Sequence, residues 1–142
     1  MVRGQALEFH IDFEPDNGLC VYHISGSVTP QELLGVFAEA RERAEWSDEY
    51  DFLTVLDHVS LSDIRAEAIT WMMNTMAAHD LATPSHKRRA AIVCNDPFSK
   101  ATLTYWELAS RERLHTDERI FQHESQARAW LSAPRKLSET AG

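Results

Sequence analysis

Hydrophobic and polar residues alternate strictly near the start of the chain. Four apolar residues occupy every second position: Leu7, Phe9, Ile11 and Phe13. This two-residue period is typical of a strand with one face on the core and one in water, and it predicts an edge strand. Segment 15–18, Pro-Asp-Asn-Gly, has the composition of a tight turn, and an apolar run over 19–24 follows it. The first two strands are therefore predicted to form an antiparallel hairpin.

A helix start follows the hairpin. Thr29 and Glu32 have the spacing of a capping box, and Pro30 between them suits the first helical position. The inward side of this helix is predicted from apolar residues at helical spacing, Leu33, Leu34, Phe37, Ala40 and Ala44. Trp46 and Tyr50 come next in a loop, where they either cover the core or form a binding surface.

Two near-continuous apolar runs, 52–56 and 90–94, are typical of interior parallel strands covered on both faces. Ser60 and Asp63 carry an S-x-x-D signal for the start of a helix between these strands. The predicted inward stripe of this second helix is Ile64, Ala68, Trp71, Met72, Thr75, Met76 and His79. Such a bulky stripe either packs into the core or grips a ligand or partner.

A third helix is predicted after the second interior strand, with Asp96 as its cap and Pro97 at its first position. Its inner side is assigned to Ala101, Tyr105, Trp106 and Ala109. Segment 119–122 reads as a short last strand. Ser125 then caps a final helix that points Ala127, Trp130 and Leu131 inward.

The element order is therefore ββαβαβαβα. Alternating helices and apolar strands predict an α/β fold with a five-stranded mixed, mostly parallel sheet and right-handed crossovers. One domain is expected over residues 1–133, with a polar tail over 134–142.

Charge narrows the range of partners. The formal net charge of -8 disfavours nucleic acid and anionic membrane surfaces. We interpret the basic cluster Lys87-Arg88-Arg89 as a solvated collar at the start of a buried strand. No apolar run has the length of a membrane span, and the first residues lack a secretory signal, so a cytoplasmic location is expected. Cys20 and Cys94 are predicted to be buried free thiols.

Ligands of open parallel sheets bind beyond the carboxyl ends of the strands. This rule selects eight residues: Ser27 after the second strand, Asp57, His58, Ser60 and Ser62 after the third, and Asn95, Asp96 and Ser99 after the fourth. Capping and turn formation are the structural alternative for several of them.

Each candidate chemistry has a competing explanation. Asp57 could act as a general base or metal ligand, but neighbouring strand residues point to opposite faces, so Asp57 and His58 are not expected to share a pocket. Ser60 and Ser62 could hold a phosphate at a helix N-terminus, or simply start the helix. The seven histidines show no paired ligand spacing, and neither a nucleophile elbow nor a glycine-rich phosphate loop is present, so no metal or cofactor is predicted.

Several segments together point to a family: Ile24 to Leu33, Trp46, Val55-Leu56-Asp57, Ile120-Phe121, and Ala127 to Leu131. With this combination the chain resembles the SpoIIAA-like proteins of bacteria, which are related to STAS domains, the fold of anti-sigma-factor antagonists. The resemblance covers nearly the whole chain, from about Phe9 to Leu131.

The resemblance implies a small α/β domain whose helices wind as a right-handed superhelix and which acts as a regulatory or ligand-binding module. In the antagonists, a partner kinase phosphorylates a serine at the start of the helix after strand three, and Ser60 or Ser62 is the counterpart by position. The antagonists read Asp-Ser followed closely by Gly, whereas this chain reads Ser62-Asp63-Ile64. Some related domains resemble lipid-binding folds, which would give the region from Trp71 to Met76 a purpose.

We therefore expect a non-enzymatic STAS-like module that binds a protein partner or a small apolar, lipid-like ligand. An apolar cavity beneath Trp71 and Met72 would support the ligand version, and a fully packed, dry interface there would remove it. One alternative is a small hydrolase or isomerase that uses Asp57, with Asn95 or Asp96 across the strand-end crevice. Another is a homodimer formed through the edge strand or an apolar helix face.

Overall fold

The computed structural model describes residues 7–59, 61, 64–80 and 86–134. The strands are β1 (Glu8–Glu14), β2 (Leu19–Ser25), β3 (Asp51–Asp57), β4 (Arg88–Val93) and β5 (Thr116–Phe121). The helices are α1 (Pro30–Arg41), α2 (Ala66–His79), α3 (Lys100–Arg113) and α4 (Glu124–Ser132). Short 3-10 helices at Pro15–Asn17 and Pro97–Ser99 complete the order. Most of the predicted tail lies outside the described residues.

The five strands form one sheet in the order β1-β2-β3-β4-β5. β1 pairs antiparallel with β2 through a turn that ends at Gly18, whose φ of 64° suits a residue without a side chain. The other three pairs are parallel, with Tyr22 opposite Thr54, Phe52 opposite Ala90, and Ala90 opposite Glu118. The predicted α/β chain with a mixed, mostly parallel five-stranded sheet is confirmed.

Helices cover both faces of this sheet. On one face, the main core joins apolar side chains of the sheet to those of α1, α2 and α3, including Leu33, Met72 and Trp106. On the other face, a smaller core joins Val21, Leu53 and Ala91 to residues of α4. α4 has only 9 residues and does not cover the whole of this sheet face. On the uncovered part, His10 is exposed and His23 is half-exposed. An apolar cavity lies on the three-helix side.

The capping box predicted at the start of α1 is present. Thr29 accepts a hydrogen bond from the backbone N–H of Glu32, whose carboxylate accepts one from the N–H of Thr29. These bonds satisfy backbone donors that the first helical turn leaves free. The helix ends at Arg41, so the predicted inward position of Ala44 is wrong, and Ala44 is exposed in the loop that follows.

The predicted inward stripe of α2 is correct at Met72 but misses two of the three buried positions of the helix. Ile69, Met72 and Met73 are the buried residues of this helix, whereas Trp71 is 44% exposed and His79 is exposed. The helix is rich in apolar residues around much of its circumference, so periodicity alone did not select the core side. It also begins at Ala66, later than the predicted start signal at Ser60 and Asp63, which lie outside the described residues.

Some of the predicted inward and capping positions of α3 and α4 are also wrong. Trp106 and Ala109 of α3 are buried as predicted, but the core also takes Leu103 and Ser110, while Ala101 and Tyr105 are exposed. The N-cap of α4 is His123 without a side-chain cap, so the predicted capping role of Ser125 is wrong. Ala127 and Leu131 are buried and Trp130 is half-buried, as predicted.

The interpretation of Lys87-Arg88-Arg89 as a solvated collar is wrong for both arginines. Arg88 is 3% exposed and Arg89 is 8% exposed. Arg88 donates to the backbone carbonyl of Asp48 and to the Asp80 carboxylate, and Arg89 donates to the carbonyls of Trp130 and Ala133. Guanidinium groups can be buried in this way when oxygen acceptors meet most of their donors, although Nη2 of Arg88 has no hydrogen-bond partner among the described residues.

Cys20 and Cys94 are buried free thiols, as predicted. Burial raises the pKa of the Cys20 thiol to about 11, which keeps it protonated and unreactive near neutral pH. None of the helices within the described residues is both long and apolar enough to cross a membrane.

Candidate functional site

A cavity opens between the sheet and the layer formed by α1, α2 and α3. The cavity has a volume of about 80 Å³. Most of its lining is apolar, and five of the lining residues are aromatic: Tyr22, Phe37, Trp46, Phe52 and Trp106. An apolar and aromatic lining of this kind is typical of a site for a small organic ligand.

Alternating rings and guanidinium groups form one wall. The Trp46 and Phe52 rings stack with centroids 5.7 Å apart. The Arg41 guanidinium lies 6.0 Å from the Trp46 ring centroid, and that of Arg88 lies 5.8 Å from the Phe52 centroid. Such contacts favour a fixed arrangement of the wall, because each cation is attracted to the electron-rich face of a ring. Arg41 is part of the cavity lining, whereas Arg88 contacts the Phe52 ring without lining the cavity.

The small side chain of Ala90 forms part of the cavity floor. Ala90 lies between Phe52 on β3 and Glu118 on β5 in the register of the sheet. A methyl group at this central position leaves space that a larger strand residue would fill. The ring of Phe52 and the carboxyl group of Glu118 can therefore both face the cavity.

Glu118 is a buried acid in this apolar lining. It is 6% exposed, and its Oε1 atom accepts a hydrogen bond of 2.6 Å from the indole N–H of Trp106. Burial raises the pKa of Glu118 to about 7; the bond from Trp106 opposes this shift and the charge of Asp117 adds to it. The carboxyl group therefore changes its charge near neutral pH.

Two hydroxyl groups add polarity to the lining. Tyr22 and Thr54 are paired residues on β2 and β3, and both are buried. Burial, together with the neighbouring Cys20, raises the pKa of the Tyr22 phenol, so it stays neutral and can donate a hydrogen bond. A ligand in the cavity thus meets hydroxyl groups on β2 and β3 and a carboxyl group on β5.

The structure places the predicted strand-three residues away from this cavity. Asp57 and His58 are exposed, and the Nε2 atom of His58 lies 3.5 Å from Oδ1 of Asp57. The two side chains meet at the surface because β3 ends at Asp57 and the φ of His58 is 56°, in the left-handed region, but they share no pocket lining. Asp57 lines neither the cavity nor the open crevice described below.

Ser60 and Ser62 lie outside the described residues, but Leu61 between them is described and buried. Its N–H donates to the Ser99 hydroxyl at 2.7 Å, and its carbonyl accepts from Thr102 at 3.1 Å. The Ser99 hydroxyl in turn donates to Asp96 at 2.6 Å. Ser99 and Asp96 therefore fix the loop after β3 to the start of α3.

An open crevice lies at the carboxyl ends of β4 and β5. Asn95 and Asp96 contribute to its lining, together with Lys100 and Glu107 of α3. Asp96 also caps the 3-10 helix by accepting a hydrogen bond from the Phe98 N–H. Ser27, beyond the end of β2, is exposed and is not part of the crevice lining. The strand-end candidates that the structure describes therefore do not form one shared site.

The prediction of an apolar cavity beneath Trp71 and Met72 is wrong, because neither residue lines the apolar cavity of the described structure, which lies further along α2. Met76, one turn after Met72, contributes to the cavity lining, whereas Met72 is completely buried and Trp71 faces outward. α2 thus covers an apolar cavity, but with a different residue from those singled out by the sequence.

Sequence reasoning missed the polar groups of the cavity. Glu118 was not assigned to a strand, because the segment Thr116-Asp117-Glu118-Arg119 is polar and the strand was predicted to begin at its end. The sequence contained one signal for its position. Glu118 and Ile120 are two residues apart, so in a strand their side chains lie on the same face of the sheet. No group of three or more His, Cys, Asp or Glu residues within the described ranges could hold a metal ion.

Comparison of the chain with protein-family models, curated proteins and solved structures gives no match.

Proposed function

We propose that this chain is a non-enzymatic, STAS-like module that binds a small, mainly apolar ligand in the cavity between the sheet and the three-helix layer. The aromatic cavity containing one buried acid carries the proposal. An apolar cavity with few polar groups provides affinity by burying ligand surface and orientation through hydrogen bonds. The small volume of the cavity favours a single-ring molecule over a two-chain lipid.

The arrangement of helices supports the STAS-like part of the proposal. The parallel strands follow one another across the sheet, and the helices α1, α2 and α3 between them contribute to the same core. Successive crossovers that advance in one direction on one face have the same hand, and such crossovers are right-handed in nearly all proteins. A right-handed superhelix of this kind is the arrangement that the SpoIIAA-like resemblance implies. Ser60 and Ser62 carry no part of the proposal.

Closing the cavity at Ala90 tests the proposed function. Ligand-detected NMR with 4-methylbenzyl alcohol, a neutral single-ring probe, should show binding to the wild type. Ala90→Leu should abolish binding because the larger side chain occupies the space between Phe52 and Glu118. Ala101→Leu, at an exposed position of α3, makes the same change of side chain and should leave binding intact. Equal binding to the Ala90→Leu protein would refute a site in this cavity.

A binding surface for a second copy of the chain is the other candidate. Large apolar side chains are exposed on the outer helices, among them Trp71 on α2 and Leu108 on α3, which is 52% exposed. The Tyr105 hydroxyl lies 3.0 Å from that of Thr70, which brings the two helices together beside these residues. If this surface joins two copies, light scattering should give a dimer mass for the wild type and a monomer mass for Leu108→Glu. A monomeric wild type would exclude it.

A further inference from the structure

The cavity contains two ionisable groups of opposite charge that do not pair with each other. Glu118 lies in β5, and Arg41 is the last residue of α1. Both belong to the cavity lining. The charged neighbour that acts on Glu118 is Asp117 rather than Arg41. A ligand could therefore meet a negative group and a positive group at different places in one apolar cavity.

Glu118 has an unused acceptor. In the described part of the chain, Trp106 is the one hydrogen-bond partner of its carboxyl group, and it contacts Oε1. Oε2 is left for a ligand donor inside the cavity. A carboxyl group that is 6% exposed is costly to ionise without a partner, and a cationic nitrogen would be the strongest partner for it.

Arg41 is available for an anionic group. It forms no ion pair within the described residues, and its guanidinium lies over the outer ring of the wall, that of Trp46. A guanidinium presents several donors in a plane, so it can bind a carboxylate and keep its contact with the ring. Half-burial of Arg41 strengthens such a bond relative to one formed in bulk water.

The sheet gives the approximate spacing between these groups. Glu118 and Phe52 are separated by β4, so their backbones lie two strand spacings apart, about 9.5 Å. Trp46 stacks on Phe52, and Arg41 on Trp46, which places Arg41 on the β3 side of the cavity. Between the two charged groups lie the methyl group of Ala90 and aromatic rings, which suit a flat apolar body.

We propose that the cavity binds a small zwitterion with a flat apolar body, whose amine nitrogen donates to Glu118 and whose carboxylate accepts from Arg41. This inference rests on the proposed function, since it names the ligand class of the same cavity. Aromatic rings around the site contribute further to binding the cationic end. Pairing both charges of the ligand reduces the desolvation cost that a singly matched ion would leave.

Four single-ring probes test this ligand class by isothermal titration calorimetry: 4-(aminomethyl)benzoate, 4-methylbenzylamine, 4-methylbenzoate and 4-methylbenzyl alcohol. The first carries both charges, the next two carry one each, and the alcohol carries none. We expect 4-(aminomethyl)benzoate to bind the wild type at least about tenfold more tightly than the alcohol. The rigid ring keeps its two charged groups at opposite ends.

Two variants test which charged group of the ligand each residue binds. Glu118→Gln should weaken binding of the two amines about tenfold and leave 4-methylbenzoate unchanged. Arg41→Gln should weaken binding of the two carboxylates and leave 4-methylbenzylamine unchanged. The matched controls are Glu112→Gln and Arg43→Gln, which remove the same charges outside the cavity lining. Circular dichroism confirms that each variant is folded before titration.

The outcomes separate this inference from the proposed function. If the alcohol binds as tightly as 4-(aminomethyl)benzoate and Ala90→Leu abolishes both, the cavity is a ligand site but its ligand is not a zwitterion. If Glu118→Gln weakens all four probes equally, the carboxyl group does not recognise an amine and the inference fails. If no probe binds the wild type, the proposed function and the inference are both wrong.

Discussion

Arg128 in α4 donates hydrogen bonds from its two terminal nitrogens to the two carboxylate oxygens of Glu14 at the end of β1, each at 2.9 Å. Its Nε atom also donates to Glu124, one turn earlier in α4, at 2.8 Å. The paired bonds hold the short helix α4 against the hairpin edge of the sheet. The Arg128 bonds are the main reason why the pKa of Glu14 is lowered from 4.5 to about 2.

Replacing Glu14 with Gln should destabilise the fold by about 1 kcal/mol at pH 7, since both partners are partly exposed and solvent screens their attraction. Because the pKa of Glu14 is lower in the folded state, its contribution is fully present above pH 4.5 and is lost as the pH falls towards 2. Urea unfolding at several pH values should show the difference between wild type and variant shrinking over this range. The matched control is Glu8→Gln, which removes a carboxylate from the same strand.

Glu118 should make the stability of the fold decrease, rather than increase, as the pH rises. Its pKa is raised from 4.5 to about 7 in the folded state, so the unfolded chain releases this proton first as the pH rises. Stability is therefore lost between pH 4.5 and pH 7, by up to about 3 kcal/mol, and the loss is complete above pH 7. Glu118→Gln should remove this loss when unfolding is measured at pH 5 and pH 8. A Glu112→Gln control should keep the loss seen in the wild type.

Ser99 should contribute more to stability than its size suggests. Removing its hydroxyl leaves the buried N–H of Leu61 without its acceptor and removes one of the hydrogen bonds that Asp96 accepts. Ser99→Ala should cost about 2 kcal/mol and should speed hydrogen exchange at the Leu61 amide. Ser110 is equally buried, but its hydroxyl donates only to the carbonyl of Glu107 in its own helix. Ser110→Ala should therefore cost less than about 1 kcal/mol in the same unfolding assay.

The capping box of α1 gives a local test. Thr29→Ala removes the acceptor of the Glu32 N–H and should destabilise the protein by about 1 kcal/mol in chemical denaturation. Ser27, two residues earlier, is exposed. Ser27→Ala should change stability by less than about 0.5 kcal/mol. A cost as large as that of Thr29→Ala would give Ser27 a structural role of its own.

The elements that the sequence predicted well are those fixed by local chemistry. The hairpin turn requires Gly18, and the start of α1 requires Thr29 and Glu32, so short-range patterns identify both. The phase of α2 was harder, because Trp71 and Met73 compete for the core side of a helix with apolar residues around much of its surface. Packing against α1 and α3 decides between them, and no local pattern contains that information.

The candidate site was less predictable for a related reason. Polarity is a good guide to exposure for most residues, yet Glu118, Arg88 and Arg89 are all buried. Each is buried because acceptors or donors distant in sequence meet it, such as Trp106 for Glu118 and the end of α4 for Arg89. Those partners are brought together only by the complete fold. The strand-end rule instead identified residues that fix loops, such as Asp96.

The consecutive order of the strands has a consequence for folding. Each strand pairs with the strand that precedes or follows it in the chain, so every pairing closes a loop of modest length and a low entropy cost. The sheet can therefore grow strand by strand from the N-terminus as the chain is synthesised. Glu14 and Arg128 are 114 residues apart, so their contact must await the last helix. We expect the contact between Glu14 and Arg128 to slow unfolding more than it speeds folding.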